Sequence, residues 1–248
     1  MAQDFAENFV LVHGSWHGAW CWTAVIGELE RNGYRALAVD LPGHGINRCA
    51  PAHVTRDAYI ESVVSFIEQH GLDNVVLAGH SLAGITIPGV AARIPKRIKR
   101  VVFVSALIIE DGVATAEELA PLMAAHAEAT HGLAEGNPDL ILTAERFRAA
   151  FIQDGTRDLQ DFVYSALTPE PTAPLLEPVR MNRFYELDIP SSYLVCENDL
   201  VFDDPRVWHP GFSRHLKNAT TRSIKSSHEV MFTKPVECAR ALIELARD

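Results

Sequence analysis

Short apolar runs rich in valine, leucine and alanine recur along the chain, and segments of helical length separate them. The runs show little apolar–polar alternation, which is typical of strands covered on both faces, as in a parallel sheet between two helical layers. Strands that alternate with helices in this way indicate the α/β class. The predicted strands are Asn8–His13, Tyr34–Asp40, Asn74–Gly79, Arg100–Ala106, Ser191–Cys196 and Thr220–Lys225.

The predicted helices lie between these strands, and several carry end signals. Thr55 can cap the helix Thr55–His70, and Gly71 can end it. The other helices predicted for the core are Ala19–Asn32, Leu82–Ile94, Pro205–Leu216 and Pro235–Arg247.

The strand–helix rhythm breaks at about Leu107 and returns after Leu187. The intervening stretch has a helical pattern without any strand-like run, and Thr143 resembles a helix cap before Ala144–Gln153. We therefore predict an α/β core formed by residues 1–106 and 188–248, with a helical cap of residues 107–187 inserted after the fourth strand. The sheet should be mainly parallel, with about six strands flanked by helices.

Charge and composition exclude several classes of partner. The formal net charge of −10 argues against nucleic acid and anionic membranes, because both select basic patches. No apolar run approaches the roughly 18 residues of a membrane span, and the acidic N-terminus lacks the features of a signal peptide. We therefore expect a cytoplasmic protein. The scattered cysteines predict reduced thiols and neither a disulfide framework nor a zinc site; they are Cys21, Cys49, Cys196 and Cys238.

The stretch "VVLAGHSLAGI" places Ser81 at the end of the third predicted strand. A sharp strand-to-helix turn needs small neighbours, and Gly79, Ala83 and Gly84 supply them. Such a turn presents the serine hydroxyl above the sheet and leaves the backbone N–H of Leu82 free to bind an oxyanion. The pattern is that of a nucleophile elbow, with alanine in place of the second glycine of G-x-S-x-G.

A serine nucleophile needs a base, and the base needs an acid that orients it. His228 follows the last predicted strand, and Asp199 follows the strand before it. The chain order serine, aspartate, histidine is that of α/β-hydrolases. Glu197 is the alternative acid. The neighbouring aspartates are instead predicted to cap the helix that begins at Pro205; they are Asp203 and Asp204.

The loop after the first strand, "VLVHGSWHGAWCW", is the expected source of a second oxyanion donor. Gly14 allows the backbone to approach the site, and the N–H of Ser15, or else of Trp16, would then point at the substrate oxygen. Trp16 and Trp20 are candidates for the wall of a substrate pocket, although both also fit a packing role.

Other polar residues in these motifs are predicted to be structural. Asp40 should organise the "LPGHG" loop, and His80 should point behind the elbow without acting as the base. His17 and His44 have no partners at metal-ligand spacing, so we predict no metal site.

The motifs "LVHGSWHGAWCW", "AVDLPGHG", "LAGHSLAGI", "CENDLVF" and "SSHEVMFTKP" together resemble the α/β-hydrolase superfamily along the whole chain. The closer likeness is to the branch that contains plant methylesterases and hydroxynitrile lyases. The resemblance implies a six-stranded parallel core, a Ser-His-Asp triad and a buried, largely apolar substrate pocket under the cap.

Two positions separate the esterases from the lyases of that branch. The lyases resembled here carry threonine where this chain has Gly14, and lysine where it has Glu229. A carboxylate near a departing anion has the wrong sign for cyanide release, so the lyase interpretation is rejected. The Glu229 side chain is expected to be solvated, with a polar contact to substrate as the alternative.

The sequence thus predicts a serine hydrolase that cleaves a small, largely apolar carboxylic ester through an acyl-enzyme, without any cofactor. A thioesterase, a lactonase, a cofactor-free biosynthetic enzyme and a small-ligand receptor with slow hydrolysis stay open as alternatives. The oligomeric state is open, with a homodimer as one option. Candidates for the cap side of the pocket are Leu122, Met123, Phe147, Phe151 and Phe162.

Overall fold

The fold comes from a computed structural model, and the structure is described over residues 7–50, 54–123, 130–131 and 137–248. Within these ranges the strands are β1 Asn8–Val12, β2 Arg35–Val39, β3 Val75–His80, β4 Ile98–Val104, β5 Thr130–His131, β6 Asp139–Leu142, β7 Glu170–Pro171, β8 Ser191–Cys196 and β9 Thr220–Ile224. The α-helices are α1 Thr23–Arg31, α2 Arg56–Gln69, α3 Ile87–Arg93, α4 Thr115–Met123, α5 Ala144–Arg146, α6 Arg157–Ala166, α7 Ala173–Leu176, α8 Asn182–Tyr185, α9 Val230–Thr233 and α10 Pro235–Arg247.

Six of these strands form one parallel sheet in the order β2-β1-β3-β4-β8-β9. The predicted fold class is therefore confirmed. The register places the carboxyl ends of neighbouring strands side by side: Val12 pairs with Gly79 in the centre of the sheet, and Cys196 pairs with Ile224 towards its edge. The loops that follow these strands therefore emerge together at one end of the sheet.

Buried side chains cover both faces of the sheet, as the unbroken apolar strands require. Helices α1 and α10 pack on one face, where Trp22, Leu29 and Leu242 are fully buried. Helices α2 and α3 lie on the opposite face, where Tyr59 and Val63 are buried in a second core.

Local capping follows the sequence in two places. The Thr55 hydroxyl accepts the Ala58 N–H at the start of α2, and the Thr143 hydroxyl accepts the Arg146 N–H at the start of α5. The predicted helix Pro205–Leu216 is wrong as a continuous element. It is broken into short turns because His209 has an extended backbone, with φ −141° and ψ 123°.

The chain between β4 and β8 contains short helices, as predicted, but it also contains a small antiparallel sheet that the sequence did not indicate. Strand β6 pairs with β5 on one side and with β7 on the other. Strands β5 and β7 have two residues each, which is too short to leave a period-two pattern. The expectation of a purely helical cap is therefore corrected.

Two further structural expectations concern individual residues, and a last point concerns the helices. The Asp40 carboxylate accepts the N–H groups of Ala19 and Ile46, at 2.6 and 3.2 Å, and so organises its loop as predicted. Free thiols are found at Cys21, Cys49, Cys196 and Cys238. Within the described ranges, every helix is too short or too polar to cross a membrane.

Candidate active site

Ser81 lies on a sharp turn between β3 and the short 3₁₀-helix Ser81–Ile85. Its φ of +53° is in the left-handed region, which is uncommon for a residue other than glycine. The small neighbours are required sterically. A Cβ on Gly79 would lie 2.9 Å from Ile87 atoms, and a Cβ on Gly84 would lie 2.0 Å from the Leu107 carbonyl oxygen. The strained turn holds Ser81 half-exposed at the end of the central strand.

Gly14 brings the loop after β1 into contact with this turn. A Cβ on Gly14 would lie 2.7 Å from the Ser81 Cβ and 3.0 Å from the His80 carbonyl oxygen, so a larger residue could not be accommodated without movement. The backbone that follows Gly14 therefore runs directly beside the serine. The adjoining His13 fixes this backbone from behind, because its Nδ1 donates to the Gly14 carbonyl oxygen at 2.8 Å.

The loops after β8 and β9 bring Asp199 and His228 together. The His228 Nδ1 donates to the Asp199 Oδ2 at 2.5 Å, and both side chains are buried. The other oxygen, Oδ1, accepts the Val201 N–H at 3.0 Å. Both carboxylate oxygens are thus engaged, and the Nδ1 hydrogen bond leaves the His228 Nε2 as the nitrogen available for proton transfer.

The other acidic residues of this region have different partners. Glu197 is exposed and accepts a hydrogen bond from Ser223, which does not suit the orienting acid. Asp203 forms an ion pair with Arg146, and the Asp204 carboxylate accepts the Arg206 N–H at the start of the next turn. Asp199 is therefore the acidic residue that the structure places beside His228.

Aromatic rings enclose the His228 imidazole. Trp208 stacks on it with ring centroids 5.1 Å apart, and Phe151 meets it edge-on at 5.4 Å. His80 packs at 4.4 Å, and its Nε2 donates to the His228 carbonyl oxygen at 3.1 Å. Since His80 precedes Ser81 in the chain, this bond places the histidine loop next to the turn at Ser81.

Burial and neighbouring charge act in opposite directions on these two histidines. Burial acts to lower the pKa of His228, but the Asp199 carboxylate and its hydrogen bond, together with the Glu229 charge, raise this pKa above its ordinary value. Burial and then the His228 charge hold the pKa of His80 well below its ordinary value. His80 is therefore neutral near pH 7 and acts as a hydrogen-bond donor behind the elbow.

Glu170 is a buried carboxylate that the sequence analysis did not identify. Its Oε2 accepts the Trp16 N–H at 3.0 Å, and its Oε1 accepts the Tyr59 hydroxyl at 3.1 Å. His44 lies 3.3 Å from the Oε2 and 3.1 Å from the Tyr59 hydroxyl, which gives His44 the structural role predicted for it. The Trp16 N–H is thus already bound, whereas the structure gives the Ser15 N–H no such partner among the described residues.

The position of Glu229 contradicts the expectation of a solvated side chain. Its side chain is 1% exposed, and it lies 3.4 Å from the His17 Nε2. Its backbone N–H donates to the Phe151 carbonyl oxygen at 3.1 Å, which joins the histidine loop to the inserted segment. A glutamate is rarely buried, and no local pattern in "SSHEVMF" signals burial.

The residues predicted to line the pocket have different surroundings. Trp16 is buried and contacts Phe151 edge-on at 5.7 Å. It also lines a pocket of about 150 Å³ with residues of the inserted segment, among them Tyr164 and Leu167. Trp20 packs against His17 and Phe232, at 5.5 Å from each ring. Trp20 thus covers the buried His17 from one side.

The residues predicted to form the cap side of the pocket also differ in their burial. Phe147 is fully buried and packs against Phe151, with ring centroids 6.0 Å apart. Of these two rings, Phe151 is the one that contacts the His228 ring. Leu122 is half-buried against the core, and Phe162 is 65% exposed, which contradicts a role in a buried pocket. Phe162 is exposed because α6 is amphipathic and turns this position to the solvent. The Met123 side chain lies outside the described residues.

The match to a known family spans nearly the whole chain. The model of the alpha/beta hydrolase family matches residues 9–241. The chain belongs to the alpha/beta hydrolase family.

Relatives of this hydrolase support the predicted branch. It is 28% identical to Methylesterase 7 of Arabidopsis thaliana, in an alignment that covers 99% of the chain and 98% of that protein. It is 41% identical to a carbendazim hydrolyzing esterase of Nocardioides sp. (strain SG-4G) over 106 residues, 42% of the chain and 44% of that protein. The predicted resemblance to the plant methylesterase branch is therefore confirmed.

A solved structure extends the likeness to three dimensions. The hydrolase superposes with a TM-score of 0.88 on an extracellular alpha/beta-hydrolase from a Paenibacillus species, with 32% identity, covering 97% of the hydrolase and 99% of the other chain. That structure is described as sharing structural and functional homology with tobacco salicylic acid binding protein 2.

Proposed function

We propose that this hydrolase cleaves small, largely apolar carboxylic esters, with Ser81 as nucleophile, His228 as general base and Asp199 as the acid that orients it. The single observation that carries the proposal is the buried Asp199–His228 hydrogen bond of 2.5 Å, in a loop that the His80 Nε2 ties to the turn where Ser81 has φ +53°. Relatives named as esterases support ester hydrolysis as the class of reaction.

The first half of the reaction forms an acyl-enzyme. The Ser81 Oγ attacks the ester carbonyl carbon while the His228 Nε2 takes the hydroxyl proton. The Asp199 carboxylate stabilises the imidazolium and keeps the proton on Nδ1. The imidazolium then gives its Nε2 proton to the alkoxide leaving group as the tetrahedral intermediate collapses, and the alcohol departs.

The second half releases the acid. The His228 Nε2 takes a proton from water as the water oxygen attacks the acyl carbon. His228 then gives that proton to the Ser81 Oγ as the acid departs. In both halves the negative oxygen would be held by the backbone N–H groups of Ser15 and Leu82. Two features support these donors: the contact between Gly14 and the nucleophile turn, and the prior engagement of the Trp16 N–H by Glu170.

The acyl group would be bound by apolar rings that the inserted segment presents to the triad. The Phe151 ring lies 5.4 Å from the His228 ring and 5.7 Å from the Trp16 ring. These distances support Phe151 and Trp16 as one wall of the substrate pocket. Methyl esters are the substrate class that the relatives' names favour, and a small alcohol leaving group suits a site enclosed by aromatic residues.

The test compares the purified protein with Ser81→Ala on p-nitrophenyl acetate, butyrate and octanoate, and on methyl benzoate. We expect hydrolysis by the wild type, a preference for the short chains, and loss of at least about 10⁴-fold in kcat for Ser81→Ala. The matched control is Ser65→Ala on helix α2, which should keep wild-type activity. Failure of the wild type on every ester, or activity retained by Ser81→Ala, would overturn the proposal.

One observation favours a second candidate, a receptor for a small aromatic acid. The Paenibacillus hydrolase is described as sharing structural and functional homology with tobacco salicylic acid binding protein 2. Isothermal titration of Ser81→Ala with salicylate and benzoate distinguishes the candidates. Tight binding together with slow turnover by the wild type would favour the receptor, and weak binding with fast turnover would favour the esterase.

A further inference from the structure

Glu229 carries a buried carboxylate that the proposed triad does not use. Neither of its oxygens has a hydrogen-bond partner among the described residues, although both are shielded from solvent. Burying an unpaired carboxylate is costly, so a compensating positive group is expected close by. The His17 Nε2, at 3.4 Å, is placed to supply it, and His17 is itself only 3% exposed.

The second nitrogen of His17 is also engaged. Its Nδ1 lies 2.8 Å from the Ser15 carbonyl oxygen, and because a carbonyl only accepts, Nδ1 must donate. The nitrogen that faces Glu229 is Nε2, 3.4 Å from the nearer carboxylate oxygen, and neither this nitrogen nor either oxygen has a hydrogen-bond partner among the described residues. The rings of Trp20 and Phe232 lie 5.5 and 6.0 Å from the His17 ring, and both members of the pair are shielded from high-dielectric solvent.

This arrangement holds the peptide between Ser15 and Trp16 at both ends. Its carbonyl oxygen accepts from His17, and its N–H donates to Glu170, which belongs to strand β7 of the inserted segment. Trp16 has φ +63°, a strained conformation for a bulky residue that persists only where the surroundings enforce it. The Ser15 N–H belongs to the preceding peptide, and only the two backbone dihedrals of Ser15 separate it from this fixed peptide, so its direction depends on the two anchors.

We propose that His17 and Glu229 form a positioning pair, which aims the Ser15 N–H at the substrate oxygen and links the loop after β1 to the loop that carries His228. The inference rests on the proposed esterase function, because it deepens the oxyanion arrangement of that same site. Neither residue touches the substrate. His228 and Glu229 are adjacent in one loop. This loop would therefore fix the position of the catalytic histidine and, through His17, the direction of the oxyanion donor.

The kinetic test is a double-mutant cycle of Glu229→Gln, His17→Gln and the double variant on p-nitrophenyl butyrate. We expect kcat to fall about 10-fold in each single variant, less than the 10²–10³-fold of a deleted donor, because the Ser15 N–H is displaced and not removed. KM should stay within about 2-fold, as for an interaction made in the transition state. The double variant should lose little more than either single variant, since the pair acts as one unit.

Glu237→Gln is the matched control, because Glu237 is an exposed glutamate on α10 and its variant should behave as wild type. Kinetic effects of the two single variants that multiply in the double variant, or an unchanged kcat in both, would overturn the positioning role.

A second readout is independent of ester cleavage: hydrogen exchange of the Trp16 amide, followed by NMR in wild type and Glu229→Gln. We expect exchange of this amide to accelerate at least about 10-fold while the amides of β3 and β4 keep their protection. Unchanged Trp16 exchange would overturn the inference whether or not the protein is an esterase. Faster exchange in Glu229→Gln, combined with a wild type that cleaves no ester, would refute the proposed function and leave the positioning pair standing. If Glu229→Gln proves unfolded, His17→Gln serves as the second variant.

Discussion

Two buried carboxylate–imidazole pairs flank the loop that follows β9, and they are built differently. In the Asp199–His228 pair, one carboxylate oxygen is 2.5 Å from the ring nitrogen and the other accepts a backbone N–H. In the Glu229–His17 pair, the closest approach is 3.4 Å and the carboxylate has no hydrogen-bond partner among the described residues. The first pair is fixed by directional bonds, whereas the second relies on charge and exclusion of water.

The difference corresponds to different tasks. A base that gives and takes protons must keep one tautomer throughout, and a carboxylate hydrogen-bonded on both oxygens provides this. A pair that only anchors a loop needs an attraction, and a looser ion pair is sufficient. His228 and Glu229 are neighbours in the chain, so one loop carries a member of each pair, and each pair can be broken separately.

Breaking the first pair should have the largest effect. Asp199→Asn keeps the shape of the side chain but allows the wrong His228 tautomer, and we expect kcat to fall about 10⁴-fold with the fold intact. Steady-state kinetics on p-nitrophenyl butyrate and a circular-dichroism melt measure the two parts of this prediction. Glu197→Gln, an exposed carboxylate two residues away, should lose less than about 2-fold. A similar loss in both variants would argue against Asp199 as the orienting acid.

Displacing the loop that the second pair anchors should have an intermediate effect. In Gly14→Ala the new Cβ would lie 2.7 Å from the Ser81 Cβ, so the backbone beside the serine must move. We expect kcat to fall about 10²-fold with a small change in KM, as for a lost oxyanion donor. Gly27→Ala is the control: a Cβ there meets nothing within 4 Å, and alanine favours the helix α1. Equal activity of both variants would contradict the placement of the oxyanion donor.

Neutralising the second pair should shift the first by charge alone. The Glu229 carboxylate contributes to the raised pKa of His228, because a negative charge favours the imidazolium. In Glu229→Gln that pKa falls, so the neutral base form persists to lower pH. We expect the acidic limb of the kcat/KM profile to move to lower pH than in wild type, while the profile keeps its shape. A limb that does not move, or moves to higher pH, would show that Glu229 does not act on His228 through its charge.

The sequence was informative wherever a local rule decides the structure. Strand β8 follows its predicted bounds because a run covered on both faces leaves an unmistakable apolar pattern. The turn at Ser81 was predicted because only small residues fit around it, and the clearances at Gly79 and Gly84 give the physical reason. The adjacency of Asp199 and His228 follows from parallel strands, whose carboxyl ends meet at one edge.

The sequence was uninformative where distant contacts override local preference. Glu229 has the sequence profile of a solvated residue, and its burial depends on His17, more than 200 positions earlier. Glu170 likewise lies in a proline-rich stretch without a local signal, yet it binds the N–H of Trp16 across the fold. Buried polar networks of this kind depend on tertiary partners, which composition and periodicity do not reveal.

The most direct test of the account is covalent labelling of the nucleophile. The wild type, Ser81→Ala and Asp199→Asn would each be incubated with diethyl p-nitrophenyl phosphate and analysed by intact-protein and peptide mass spectrometry. The account predicts one diethylphosphoryl adduct on Ser81 in the wild type, none in Ser81→Ala, and much slower labelling in Asp199→Asn. An adduct on another residue, or equally fast labelling of Ser81→Ala, would contradict the assignment of Ser81 as the nucleophile.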